Sequence, residues 1–194
     1  MKIGILALQG DVAEHKRLLR RLNVNIVDVR MPDDLEEVDG LIIPGGESTT
    51  ISKLINKSGL YKPIINKYRQ GMPIYGTCAG AIILAKYVLN QKVPTLEIMD
   101  ISIKRNDYGR QIESFEAELD SEIGKIRGVF IRAPVIDKIH DGVKILSKFE
   151  GKPVLARQRN LLVSTFHPEL TKNDKVHRYF LDIVEKAKEK RIAE

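Results

Sequence analysis

Three nearly uninterrupted apolar runs, "KIGILAL" (2–8), "GLIIP" (40–44) and "MPIYG" (72–76), are separated by stretches whose apolar residues recur at helical spacing. A strand with one wet face alternates polar and apolar residues. A continuous apolar run instead marks a strand covered on both faces, and such strands joined through helices form a parallel sheet between helical layers. "VNIVDV" (24–29) reads as a further strand. Val12, Leu18, Leu19 and Leu22 make the stripe of a first helix, with Asp11 placed to cap it. Helices are expected over about 48–57 and 61–70, broken at Ser58-Gly59, and over "CAGAIILAKYVL" (78–89).

Past residue 97 the pattern changes. "IMDISIKR", "ESFEAEL", "GVFIRA", "VKILSKF", "PVLARQ" and "LLVSTF" are short strand candidates separated by turn residues, with little helix between them, which favours antiparallel pairing. "DKVHRYFLDIVEKAKEK" follows as an amphipathic helix with Val176, Tyr179, Phe180, Ile183, Val184 and Ala187 on one side. No repeat, linker or low-complexity segment interrupts the chain. The expectation is one α/β domain over 1–194: a three-layer sandwich with a mainly parallel central sheet and extra antiparallel strands in its second half.

Composition narrows the function classes. With 43% hydrophobic and 30% charged residues the chain can bury a core, and its longest apolar runs are too short to cross a bilayer. The apolar N-terminal stretch has no small-residue cleavage site and reads as a strand. A lone cysteine suits a reducing cytoplasm. The formal charge of +6 gathers in "HKRLLRR" and "EKAKEKR", where basic residues interleave with apolar ones as solvated helix faces do. Neither nucleic acid nor membrane is expected as a partner.

The cysteine is Cys78, in Gly76-Thr77-Cys78-Ala79-Gly80, where a strand gives way to a helix. G-x-C-x-G is the thiol form of the nucleophile elbow, a turn so sharp that neighbouring β-carbons have no room. The positive end of the following helix favours a negatively charged sulfur, and the Ala79 amide faces any oxyanion formed on the attacked carbon. His167 and Glu169, in "STFHPEL", follow the strand "LLVSTF"; Pro168 biases His167 toward extended backbone, in which residues two apart share a side. Cys78 as nucleophile, His167 as proton shuttle and Glu169 as orienting acid would make a triad. After "GLIIP", Pro44-Gly45-Gly46-Glu47 lets backbone amides approach a ligand, so Gly46 could be a second oxyanion donor. Each motif also has a plainer reading: Cys78 as a small core residue, "HPE" as an ordinary turn. His15, His140 and His177 read as surface or helix-packing residues, and no cysteine or histidine pair has metal-ligand spacing.

"PGGES", "GTCAG" and "FHPEL", in this order and each after a buried strand, resemble the triad-type glutamine amidotransferases. "LALQGDVAEH", "GGESTT", "KRNDYGRQIESFEAEL" and "GVFIRAP" extend the similarity over nearly the whole chain, to the glutaminase subunits of pyridoxal 5′-phosphate synthases. The resemblance implies a flavodoxin-like amidotransferase fold and hydrolysis of L-glutamine to L-glutamate and ammonia, without cofactor or metal. The ammonia would pass to a separate synthase subunit that builds pyridoxal 5′-phosphate. It further implies Cys78, His167 and Glu169 as catalytic residues. Substrate contacts would come from Gly46, Glu47, Ser48, Arg105, Ile131 and Arg132, and a synthase-facing end from "LQGD", Gln9 included. Similar sequences often carry a glycine where Glu97 stands. The alternative is the same glutaminase serving another amidotransferase, such as imidazole glycerol phosphate synthase. Readings from other classes are a peptidase-like cysteine hydrolase and a non-catalytic binding subunit.

Overall fold

The computed structural model describes residues 1–105 and 114–193. The elements run β1 (Lys2–Leu6), α1 (Val12–Arg21), β2 (Asn25–Val29), β3 (Gly40–Ile43), α2 (Ser48–Lys57), α3 (Tyr61–Arg69), β4 (Ile74–Thr77), α4 (Ala79–Leu84) and β5 (Ala85–Val88). They continue with β6 (Met99–Lys104), β7 (Ser114–Leu119), β8 (Ile126–Ile131), β9 (Val135–Ile139), β10 (Lys144–Phe149), β11 (Lys152–Gln158), β12 (Leu161–Ser164) and α5 (Lys175–Ala193). The middle of "KRNDYGRQIE", residues 106–113, lies outside the described residues.

A seven-stranded sheet of order β10-β11-β12-β4-β3-β1-β2 forms the centre. β2, β1, β3, β4 and β12 are parallel, while β11 and β10 add antiparallel at one edge. Alternate residues of the central strands feed two cores. Leu41, Ile43, Ile74, Leu161 and Val163 pack with Ile51, Ile55 and Ile64 of α2 and α3; Ile42, Tyr75 and Leu162 pack with Leu19 of α1 and Phe180 and Val184 of α5. Two apolar faces per strand are what the uninterrupted runs require, and the three-layer sandwich follows. β5, β6 and β9 make a smaller sheet, and β7 and β8 an antiparallel pair.

The helix expected over 78–89 is shorter than its apolar pattern. α4 stops at Leu84 because its last carbonyls are taken from outside: Leu96 N–H donates to Ile83 (2.7 Å), Ile98 N–H to Leu84 (3.2 Å) and the Thr95 hydroxyl to Ala85 (2.7 Å). With no acceptors left for the next turn, residues 85–88 extend and pair parallel with β6. The turn that supplies these donors contains Glu97 at φ +54, the left-handed conformation that a glycine accommodates more readily. Among the described residues, no helix is long and apolar enough to cross a membrane.

Candidate active site

Ligand sites in sheets of this kind form where parallel strands end. The loops after β1, β3, β4 and β12 carry Asp11, Gly46, Cys78 and His167, which together line one cavity of about 370 Å³.

The strand-to-helix turn after β4 sets Cys78 at φ 49, ψ −103, outside the regions that L-residues usually occupy. Its flanking glycines are there for space. A β-carbon on Gly76 would lie 2.5 Å from the Gly80 carbonyl carbon and oxygen, and one on Gly80 would lie 2.1 Å from the Ile43 carbonyl oxygen. The Cys78 N–H donates to the Ser164 carbonyl (2.8 Å), one step past the Thr77↔Ser164 pair of the parallel ladder. That register carries the chain of β12 to the thiol, three residues before His167. The His167 N–H donates to Val129 of β8 (2.8 Å), which draws Ile131 and Arg132 to the same rim.

His167 Nδ1 lies 2.8 Å from Glu169 Oε1 and 3.2 Å from Asp11 Oδ2. Burial opposes a charge on this ring, but hydrogen bonds with Asp11, Cys78 and Glu169 outweigh it and push the imidazole up to about 12. Glu169 is fully buried behind the ring, and burial raises its carboxyl despite the histidine beside it. The pair meets in a 3₁₀ turn over Pro168–Leu170, not in the extended segment that the sequence suggests. His167 itself stays outside the helix (φ −106, ψ 87), as a residue before proline must.

Asp11 is the group the sequence reading misplaced. It precedes α1 but makes no side-chain cap bond; its N–H is held by the Gly45 carbonyl (3.0 Å) and its carboxylate turns to His167. The signal available was its position, at the carboxyl end of a central strand. Asp11, His167 and Glu169 bring their ligating atoms within 4.8 Å of one another. Their hydrogen bonds suit them to holding and moving a proton.

Gly46, Glu47, Ser48, Arg105, Ile131 and Arg132 all line the cavity, with Ala79 beside the thiol. Glu47 caps α2, accepting from the Thr49 N–H (3.0 Å), the Thr50 N–H and the Thr50 hydroxyl (both 2.6 Å), and it pairs with Arg105 at 3.2 Å. The bonds from Thr50 and Thr49, the Thr50 hydroxyl first, hold its carboxyl down to about 2. Gln9 Oε1 accepts the Glu47 N–H (2.9 Å), so the "LQGD" segment braces the loop after β3. Of the other histidines, His140 meets the Ser102 hydroxyl (3.2 Å), whereas His15 and His177 are wholly buried and hydrogen-bonded to each other.

The cavity thus gathers a thiol on a strained elbow, an imidazole held between carboxylates, Gly46 and Ala79 after two strand ends and the Glu47–Arg105 ion pair at the rim, a set suited to nucleophilic attack on an amide or ester carbonyl. A crystal structure of a glutamine amidotransferase, 45% identical, superposes with a TM-score of 0.92 over 94% of this chain and 98% of that one. The "Pyridoxal 5′-phosphate synthase subunit PdxT" of Carboxydothermus hydrogenoformans is 48% identical over 187 residues, 95% of this chain and 98% of the relative. That of Desulforamulus reducens is 50% identical over 187 residues, 95% of this chain and all of the relative. Residues 5–186 match the SNO glutamine amidotransferase family, and the chain belongs to that family.

Proposed function

We propose that this chain is the glutaminase subunit of a pyridoxal 5′-phosphate synthase, forming one glutaminase domain over 1–194 with Cys78, His167 and Glu169 as its catalytic triad. The observation that carries the reading is the convergence of Cys78 and His167 on one cavity, with the His167 Nδ1 held 2.8 Å from Glu169 Oε1 behind it. The names of the relatives supply the synthase.

In this mechanism the Cys78 thiolate adds to the side-chain amide carbon of glutamine, and the amides of Gly46 and Ala79 hold the oxyanion. The His167 imidazolium gives its Nε2 proton to the departing nitrogen, which leaves as ammonia. Water then loses a proton to the same imidazole, attacks the γ-glutamyl thioester and releases glutamate, returning the thiol. Glu169 keeps the ring oriented and stabilises its charged form. The Glu47–Arg105 pair offers both signs of charge at the rim, matching the α-ammonium and α-carboxylate of a free amino acid. The ammonia goes to a separate synthase subunit, in the reducing cytoplasm that one free cysteine suits.

The test is ammonia release from L-glutamine by the chain alone and with the synthase subunit of its own organism. Release that rises when the synthase subunit is added, and vanishes in a folded Cys78→Ala variant, is the expected result. Turnover persisting in that variant would remove Cys78 as nucleophile. An absence of effect from this synthase subunit, with stimulation by an imidazole glycerol phosphate synthase instead, would reassign the partner.

A further inference from the structure

Behind the triad lies a second polar cluster in a place where the surrounding core is apolar. His15 of α1, with none of its surface exposed, brings Nε2 to 3.2 Å from the Thr77 hydroxyl and 3.5 Å from Glu169 Oε1. Its Nδ1 lies 2.9 Å from His177 Nε2 on α5. Thr77 in turn accepts the Gly45 N–H (2.9 Å). One imidazole therefore touches the triad acid, the residue before the nucleophile and, through it, the loop that carries the amide of Gly46.

The tautomer decides what this ring does, and two arrangements compete. If Nδ1 carried the proton, it would donate to His177 Nε2, and the His177 proton would sit on Nδ1. That atom is buried and has no hydrogen-bond partner among the described residues. The lone pair on His15 Nε2 would then face the carboxylate. If Nε2 carries the proton, His177 Nε2–H donates to His15 Nδ1, the unpartnered His177 atom is a lone pair, and His15 Nε2–H donates to the Thr77 hydroxyl oxygen with Glu169 Oε1 3.5 Å away. The first form orphans a buried N–H of His177 and sets a lone pair against an anion; the second orphans a ring acceptor and takes from the Thr77 hydroxyl proton its His15 acceptor, so the lone pair facing the Glu169 carboxylate decides for Nε2. Burial keeps both rings neutral, lowering His15 well below the usual imidazole range and His177 to about 3.

The geometry points to His15 as a positioning residue: its Nε2–H, bonded to the Thr77 hydroxyl and set 3.5 Å from Glu169 Oε1, holds the triad acid and the Gly45 amide in a single arrangement. Both groups facing Glu169 at these distances, His167 Nδ1 and His15 Nε2, meet the same oxygen, Oε1, and Oε2 has no hydrogen-bond partner among the described residues. The remaining titratable groups around the carboxylate offer it no donor. Asp11, at the start of α1, repels it; Tyr75 of β4 is bonded to Ser164 (2.9 Å); His177 of α5 is turned to His15, with Asp174 and Arg21 acting on that ring from outside. Losing the His15 N–H weakens the Glu169 anion, then the imidazolium it supports, then the thiolate paired with that imidazolium. The acid limb of activity moves to higher pH.

This inference rests on the glutaminase reading, and its test has one arm that does not. Long-range ¹H–¹⁵N NMR of the unmodified protein reads each ring directly: His15 is expected neutral and protonated on Nε2 at neutral pH, and a proton on Nδ1 or a charged ring overturns the proposal. The second arm measures ammonia release with the synthase subunit present for H15Q, whose amide can replace the Nε2 donor, and H15L, which has none. H15L is expected to lose about tenfold or more in kcat with KM within about twofold, and to shift the acid limb upward. H15Q is expected to recover most of both. A limb that stays in place in H15L, or an H15Q no better than H15L, reduces His15 to packing and overturns the role. Should H15L fail to fold, the ring assignment and H15Q decide. If the unmodified complex releases no ammonia, the glutaminase reading fails while the NMR still rules on the ring.

Discussion

Gly80 lies against the Ile43 carbonyl so closely that a β-carbon on it would stand 2.1 Å from the oxygen. Both partners are backbone, so neither can rotate aside. G80A is expected to lower stability by about 1–3 kcal/mol, the usual cost of overpacking. Because the shift falls on the turn that aims Cys78, ammonia release should drop further than stability alone accounts for. Urea unfolding beside an ammonia assay checks both, and a G80A protein as stable as the parent contradicts the packing described.

Glu47 serves α2 and the cavity at once. E47A removes the cap and the partner of Arg105, for a loss of about 1 kcal/mol at neutral pH together with weaker use of glutamine, seen as a raised KM. The pH dependence has a definite sign. A carboxyl held near 2 instead of 4.5 adds stability that is complete above 4.5 and is lost as pH falls toward 2. The gap in unfolding free energy between the parent and E47A should therefore close over that interval. A gap that is constant with pH would show that the charge is not what caps the helix.

Asp11 and Glu169 share the charge on one ring nitrogen. D11N keeps the shape of the side chain but removes a negative charge 3.2 Å from His167 Nδ1, so the imidazolium gives up its proton more readily. The alkaline limb of kcat/KM is expected to move to lower pH, by on the order of one unit or less given that Asp11 is partly open to solvent. A profile that does not move would assign the His167 charge to Glu169 alone.

Glu97 sits at φ +54 on an exposed turn. A left-handed non-glycine residue costs about 1 kcal/mol, of which glycine's greater unfolded freedom returns part. E97G should therefore raise stability by about 0.5 kcal/mol, with catalysis unchanged. A lower melting temperature would mean that the glutamate side chain contributes more than the backbone strain removes.

The elements that place the site were legible wherever the signal was local. Apolar runs such as "GLIIP" and "MPIYG" announced doubly covered strands, and the glycines around Cys78 announced a turn without room. What escaped depends on distant partners. Asp11 looks the same in sequence whether it caps a helix or leans on a histidine; the Gly45 carbonyl on its N–H decides. His15 falls in the buried stripe of α1, so its burial could be read, but its partner His177 is 162 positions away. The end of α4 likewise depends on donors from residues 95–98, which the apolar pattern of 78–89 does not contain. The proximity of His167 and Glu169 was legible through Pro168, although the chain achieves it with a 3₁₀ turn.

β3, β4 and β12 lie side by side, yet some eighty residues of chain separate the last two. Neighbouring strands keep a spacing of about 4.8 Å whatever the length of the excursion between them. That excursion builds the smaller sheet and the outer edge, and it contributes Arg105, Ile131 and Arg132 to the rim. The excursion thus brings Arg105 to Glu47 of the loop after β3, and the rim is assembled from two distant parts of the chain. The register between β4 and β12 therefore brings the Cys78 turn and the His167 turn to one strand end, however long the chain between them.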